Sequence, residues 1–331
     1  MDRDRSLSFF YTLTYATISL QNNHLKTRKE MATNPVITTL PEYVDQHRDG
    51  LVAQAVIGAK TTSIINFQGG VKGIAAINIL NTDVEFGDGG SCGWNPAGSQ
   101  ELTQRKITTG YIKINMPYCD KKLYKTYAEY GVRVAAGQKT LTFEEDFVNG
   151  IIDNVKAAIE KAVWQGDLAS ENANLNKFDG FVKILGAAEG VIKADGAKSD
   201  VFAALQSVIE KLPATALKDD TRIFVGQDTF MKLVNQLVNK NLYHYSGENA
   251  DFELVLPGTT IKVTAVGGLD GTDKIVAGRA SNFYYGTDFE GDEEKFEFFY
   301  DQSNREFRLV VEFNAGVQVA FPKEVVLLTL A

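Results

Sequence analysis

Residues 140–180 constrain the fold more than any other part of this chain, opening as a helix that closes on Gly166-Asp167 and running through a polar loop to Gly180. In FEEDFVNGIIDNVKAAIEKAVWQ, the residues Phe143, Phe147, Ile151, Val155, Ile159 and Ala162/Val163 recur at helical spacing, with Val148, Ile152 and Ala158 beside them. That period predicts one long amphipathic helix. The charged residues Glu144, Glu145, Asp146, Asp153, Lys156, Glu160 and Lys161 fall mainly between the apolar ones and are expected to face solvent. Thr142 followed by Glu144 and Glu145 suits an N-terminus, where carboxylates meet the positive end of the helix dipole. Gly166 suits the C-terminal stop. Gly150 costs about 1 kcal/mol relative to alanine inside a helix, so it marks close packing or a bend. By itself the segment fits a core helix of any α+β protein.

The rest of the 331 residues is enough for one large or two modest domains, with 44% hydrophobic and 23% charged residues, as in ordinary globular proteins. Glycine is frequent (29) and proline scarce (7), which fits many strand turns and few rigid linkers. The formal net charge of −8 and the lack of a basic stripe argue against tight phosphate binding. Cys92 and Cys119 define no disulfide framework and lack CxxC spacing; both are expected to be free thiols, too far apart to bridge. His24, His47 and His244 form no HxxxH or HxH pattern, so no metal site is expected.

Ser6 to Leu20 (SLSFFYTLTYATISL) is too short and too polar for a transmembrane helix, and it mimics a secretory signal only loosely. Met31-Ala-Thr-Asn-Pro has the look of a natural start, so residues 1–31 are read as an upstream extension or a disordered segment. A short helix is expected from Leu40 to Val56. Strands are expected at 74–80 and 83–86, followed by the glycine-rich GDGGSCGWNPAGS (87–99) and a returning alternating strand, Ile107 to Ile114. Together they form a long β-hairpin, marginal alone in water and in need of something to lie on, such as another subunit. A short helix follows from Cys119 to Tyr130. Beyond the long helix, Phe181 to Leu185 reads as a strand, Asp200 to Leu212 as a helix, Arg222 to Val225 as a buried strand, Gln227 to Asn239 as a helix and Thr260 to Val266 as a strand, a compact α/β unit. Strands at 274–277, 283–287, 295–300, 306–320 and 325–330 close the chain.

No catalytic constellation emerges. Gly87-Asp88-Gly89-Gly90 has no dinucleotide fingerprint after it, and Walker A and GxSxG motifs are absent. Cys92 with a distant His47 or His244 lacks any local signature of a nucleophile pair. The acidic run Asp288, Glu290, Asp292, Glu293, Glu294 lacks calcium-loop order and reads as a solvated connection. The aromatic cluster Phe283-Tyr284-Tyr285, Phe296, Phe298-Phe299-Tyr300 has no interleaved basic residues and reads as packing rather than base stacking. No cofactor, no metal and no enzyme activity are expected.

Taken in order, these segments resemble the Hong Kong 97-type major capsid proteins of tailed phages, and in detailed wording those of gut-bacterial phages. The resemblance rests on GIAAINILNTDVEF…QRKITTGYIKINMPYC (73–119), EEDFVNGIIDNVKAAIEKAVWQGD (144–167), NKFDGFVKIL (176–185), RIFVGQDTFMKLVNQL (222–237) and REFRLVVEFNAGVQVAFPKEVVLL (305–328), and covers residues 32–331. No single motif is diagnostic; the order is. It implies an α+β capsid fold with an N-terminal arm (32–72), an E-loop β-hairpin (73–119), a peripheral domain with the spine helix (120–174), an α/β axial domain (175–270) and further peripheral strands (271–331).

The resemblance implies a structural protein that assembles with itself, as pentamers and hexamers, into an icosahedral head shell around double-stranded DNA. It further implies a scaffold, a portal and a maturation protease as partners, no sequence-specific DNA contact and no membrane. The chain would be a virion protein assembled in the bacterial host cytoplasm. No Lys or Asn is assigned to self-crosslinking. Trp94, Asn95, Phe86 and Tyr111 on the hairpin are the inter-subunit contact candidates, Trp94 foremost because aromatic residues dominate interface hot spots. An encapsulin-like nanocompartment uses the same fold and stays open as an alternative. So does a secreted β-rich binding or adhesion protein, which a true signal peptide would favour.

Overall fold

The computed structural model describes residues 35–83, 85–86, 99–137, 142–217, 220–242, 252–288 and 296–331. In chain order the elements are α1 (Pro35–Ile57), α2 (Lys60–Ile64), β1 (Asn66–Gln68), β2 (Ile74–Asp83), β3 (Ser99–Thr108), β4 (Gly110–Cys119), α3 (Asp120–Ala135) and α4 (Phe143–Gln165). Then follow α5 (Phe181–Ala187), β5 (Ile192–Gly196), α6 (Val201–Lys211), β6 (Thr221–Val225), α7 (Gln227–Asn239), β7 (Glu253–Val255) and β8 (Lys262–Ala265). The chain ends with β9 (Lys274–Arg279), β10 (Phe283–Thr287), β11 (Phe296–Asp301), β12 (Glu306–Val319) and β13 (Val326–Leu330). It divides into two compact units. One comprises the described residues within Met1–His47, with Asn115–Val148 and Glu297–Leu309; the other comprises Arg48–Ile114, Asn149–Phe296 and Val310–Ala331.

The first unit has an aromatic core. Phe143 meets Tyr127 and Tyr130 edge-on at 5.2 and 5.6 Å between ring centroids, and Phe147 meets Tyr118 edge-on at 5.2 Å. Phe298 stacks on Phe307 at 5.4 Å, and Tyr300 closes on Phe307 at 5.0 Å. Such edge-on and offset pairs add about 0.5–1.5 kcal/mol each beyond the area they bury. The α4 start is as the sequence predicts: the Thr142 hydroxyl accepts from the Glu145 N–H at 3.3 Å, and Glu144, Glu145 and Asp146 fill the first turn. Helix α3 runs to Ala135, one turn past the predicted end at Tyr130, and leaves Val132 and Val134 exposed.

The second unit holds a six-stranded sheet in the order β5-β13-β9-β6-β8-β7. β13 runs parallel to β5 and antiparallel to β9; β6 runs antiparallel to β9 and parallel to β8. Strand alternation sends Ile223 and Val225 to one face, into a cluster with Val201, Leu205 and Val208 of α6 and Phe230, Leu233 and Leu237 of α7. The opposite face turns Phe224 onto Trp164. There Trp164 (α4), Phe181 (α5), Phe224 (β6) and Phe283 (β10) form a ring of four fully buried aromatics with centroids 5.2–5.7 Å apart.

A buried polar knot lies beside these rings. Glu160, expected on the solvent face, is only 6% exposed. Its Oε2 accepts from the Thr61 N–H at 2.9 Å and its Oε1 from the Thr61 hydroxyl, while the Trp164 Nε1–H donates to Thr61 Oγ1 at 2.7 Å. Burial pushes the Glu160 pKa up, against the opposing pull of the Thr61 and Trp164 hydrogen bonds and of the Lys60 charge. Gly268 permits this packing, because a Cβ there would run into the Glu160 carbonyl and the Trp164 ring.

Two further expectations are corrected. Phe181–Leu185 is the start of helix α5, not a strand: Phe181 and Leu185, one helical turn apart, are both buried, and Lys183 points out to Asp167 at 2.5 Å and Asp179 at 2.8 Å. The Lys183 hydrogen bond holds the Asp167 carboxyl below its ordinary range. Asp288 does not belong to a solvated run: it is 2% exposed and accepts from the Asn314 N–H at 2.8 Å and side-chain amide at 2.7 Å. The run's other acids, Glu290, Asp292, Glu293 and Glu294, lie outside the described residues.

Candidate assembly surface

The hairpin is built by β2 and β3, which pair antiparallel over ten residues each, from Ile74↔Thr108 at the root to Asp83↔Ser99. At about 3.4 Å per residue the ladder is roughly 34 Å long. Its two faces differ because successive side chains alternate. One face carries Ile77, Ile79 and Ile107, all buried, clustered with Ala320 and packed against Tyr284 and Phe321. The opposite face is exposed at Ala76, Asn78, Gln104, Lys106 and Thr108, with Ile74 65% and Leu102 66% exposed.

The inner face finds part of the support the hairpin needs within its own subunit. Besides the isoleucines, the Arg105 guanidinium donates to the Val319 carbonyl at 2.8 Å, and the Gln318 amide donates to the Lys106 carbonyl at 2.7 Å. The root is closed by Thr109, whose N–H donates to the Gly73 carbonyl at 2.8 Å. Here the predicted continuous strand from Ile107 to Ile114 is broken into β3 and β4. Gly110 makes the break workable: a side chain there would overlap the Lys177 carbonyl.

Of the contact candidates, Phe86 lies past the end of β2 rather than in a strand and is 97% exposed. Tyr111, on β4, is 53% exposed; its hydroxyl donates to Glu312, which raises its pKa, and Lys113 pairs with the same carboxylate at 2.6 Å. Trp94 and Asn95 lie outside the described residues, as does Cys92, while Cys119 is a free, exposed thiol. Sequence reasoning missed Trp164, Thr61 and Glu160. The one signal that bore on them was the tryptophan in the apolar row of the long helix.

Among the described residues no group of three or more His, Cys, Asp or Glu is placed to hold a metal ion, and no helix is long and apolar enough to cross a membrane. The surface offers the chemistry of packing: an apolar-dotted sheet face, a fully exposed phenylalanine and flanking charges.

Solved structures of similar fold are capsid assemblies. A chain of the satellite phage P4 procapsid that includes the size determination protein superposes with a TM-score of 0.58 at 13% identity, over 99% of this chain and 98% of that one. A chain of the capsid of an empty GTA particle gives 0.54 at 14% identity, over 82% and 90%. The capsid of Myoviridae phage XM1 gives 0.51 at 12% identity, over 81% and 89%. At such identities the likeness is one of fold: this chain has a phage-capsid fold of mixed helix and sheet. No protein-family model and no curated protein sequence matches it.

Proposed function

We propose that this chain is the structural subunit of a phage head: a major capsid protein of the Hong Kong 97-like type that assembles with itself into a closed icosahedral shell around double-stranded DNA. The observation that carries the reading is the hairpin, anchored by one face to its own subunit while Ile74, Leu102 and Phe86 stand in solvent. A ladder fixed at one root and unpaired on its outer face gains stability by lying across a neighbour, and a head-to-tail contact of this kind repeats until it closes. The likeness in fold to capsid chains over nearly the whole length supports the same reading.

On this reading the chain works through surfaces and carries no catalytic group. Pentamers and hexamers form the shell, a scaffold and a portal guide it, and a protease matures it in the host cytoplasm. The acidic balance of the sequence keeps the wall from gripping the packaged DNA. Expression of the full chain followed by negative-stain imaging tests the proposal. Closed particles of uniform size are expected; a chain that stays monomeric at every concentration refutes it. Deleting residues 88–98 should leave a folded, soluble subunit and abolish closed particles. Particles purified from producing cells should protect double-stranded DNA from nuclease.

A further inference from the structure

Two hydroxyls of β10 are buried without a partner. Tyr285 and Thr287 are both 0% exposed, and neither side-chain oxygen makes a hydrogen bond among the described residues. Alternation puts both on one face of β10, roughly 6.8 Å apart along the strand. The residues paired with them are apolar: Val317 of β12 stands opposite Tyr285, Ala315 opposite Thr287, and Phe67 of β1 beside Tyr285. Burial and the Asp288 charge push the Tyr285 pKa up, so its phenol keeps the proton and is a donor as well as an acceptor. In folded proteins roughly 90% or more of buried polar groups are paired, with protein or with ordered water. Two orphaned hydroxyls on one strand face therefore point to a common ligand.

We propose that one internal water bridges the two hydroxyls, accepting from the Tyr285 phenol and donating to the Thr287 oxygen. The packing over this face leaves room for it. Ala315 presents only a methyl group opposite Thr287. On the same face of β12, Val317 lines a crevice of about 230 Å³ and Phe313 a cavity of about 100 Å³, two residues to either side of Ala315. The layer above the strand is therefore loosely filled on both sides of the site, and a water needs only roughly 10–15 Å³ of such space. A bound water also accounts for a tyrosine and a threonine at positions where phenylalanine and valine would fill the same shape without an orphaned oxygen. The site belongs to the folded subunit and stands apart from the self-assembly reading.

The test is urea unfolding of the full-length chain with Tyr285→Phe, Thr287→Val and the two together, alongside a crystal structure of the natural chain. Each substitution removes one hydroxyl and keeps nearly the same shape. With the water in place, each single change should raise the unfolding equilibrium constant about fivefold to tenfold, because the water and the remaining hydroxyl lose a partner. The double change should cost no more than the larger single one, because the water leaves with both hydroxyls. A single change that lowers the unfolding constant means a hydroxyl buried dry, and additive single effects mean no shared ligand; either result overturns the proposal. In the crystal, one water should lie within hydrogen-bond distance of both oxygens, and a site without density between them overturns the proposal as well. If Tyr285→Phe fails to fold, Thr287→Val and the density still decide.

Discussion

At Trp164, four aromatic rings from four separate elements exclude solvent completely, and the one polar atom of the indole has a partner in Thr61. On the outer face of the hairpin, Ile74 and Leu102 stand about two-thirds exposed, and Phe86 is bare. The same residue classes thus serve opposite ends. Around Trp164 the apolar area is used up within the subunit, so the rings stabilise the fold. On the hairpin the area stays available, so any free energy it holds is released only on contact with something else. Between these extremes lies the hairpin's inner face, where Ile77, Ile79 and Ile107 are buried in a small satellite cluster. A single β-ladder therefore has a structural side and an unspent side.

Substitutions that separate the two regimes sharpen this contrast. The largest effect is expected at the rings: Trp164→Ala should destabilise the subunit by about 3–5 kcal/mol, measured by urea unfolding, because it opens a cavity and strips the Thr61 hydroxyl of a donor. A loss under 1 kcal/mol would mean the rings do not act as the core. Next is the hairpin's inner face, where Ile107→Ala should cost about 2–5 kcal/mol and speed amide exchange across β2 and β3 more than across β6 and β9. Uniform exchange changes would contradict the view of the root as a separate cluster.

Glu160→Ala should cost about 1–3 kcal/mol by leaving the Thr61 N–H and hydroxyl without their acceptor. Its pH dependence has a definite sign. The folded-state pKa of Glu160 is raised, so the folded state binds the proton more tightly than the unfolded chain. The stability of the natural chain minus that of Glu160→Gln should therefore rise as pH falls through the raised value, and level off below the ordinary glutamate value. A difference that shrinks on acidification would reverse the balance between burial and hydrogen bonding. The smallest change in fold stability is expected for Leu102→Ser on the outer face, within about 0.5 kcal/mol. If that substitution unfolds the subunit, the outer face is not free surface.

Local periodicity made much of this fold legible. The row from Phe143 to Val163 placed the long helix, and Phe230, Leu233 and Leu237 placed α7, because a helix buries one stripe every three to four residues. The outgoing hairpin strand was readable from alternation and from the glycines that follow it, whereas the returning strand, expected at Ile107 to Ile114, is Ser99–Thr108, and its first eight residues are too polar to announce a strand. Phe181 to Leu185 was not, since five residues with apolar ends fit either period; Gly180 and the outward Lys183 settle it as a helix. Strand β5, in which only Ala194 is buried, carries no strand signal strong enough to be expected and forms by pairing in parallel with β13. Glu160 was misread for the same kind of reason. Its neighbours in sequence describe a solvent face, and its partner Thr61 lies 99 residues away.

By itself, then, the sequence determined the long, strongly periodic elements such as α4, α6 and α7 and the apolar stripe of each, since those properties depend on residues within a few positions of one another. It also fixed the acidic charge and the order of segments that resembles phage capsid proteins. Only the tertiary structure decided which apolar sides are consumed inside the subunit and which remain for a partner. Ile77 and Leu102 look alike in sequence; one is buried because Ala320, Tyr284 and Phe321 arrive from the far end of the chain, and the other is 66% exposed because none of the described segments covers it. Burial is a non-local property, set by what packs against a residue, and no local pattern encodes it.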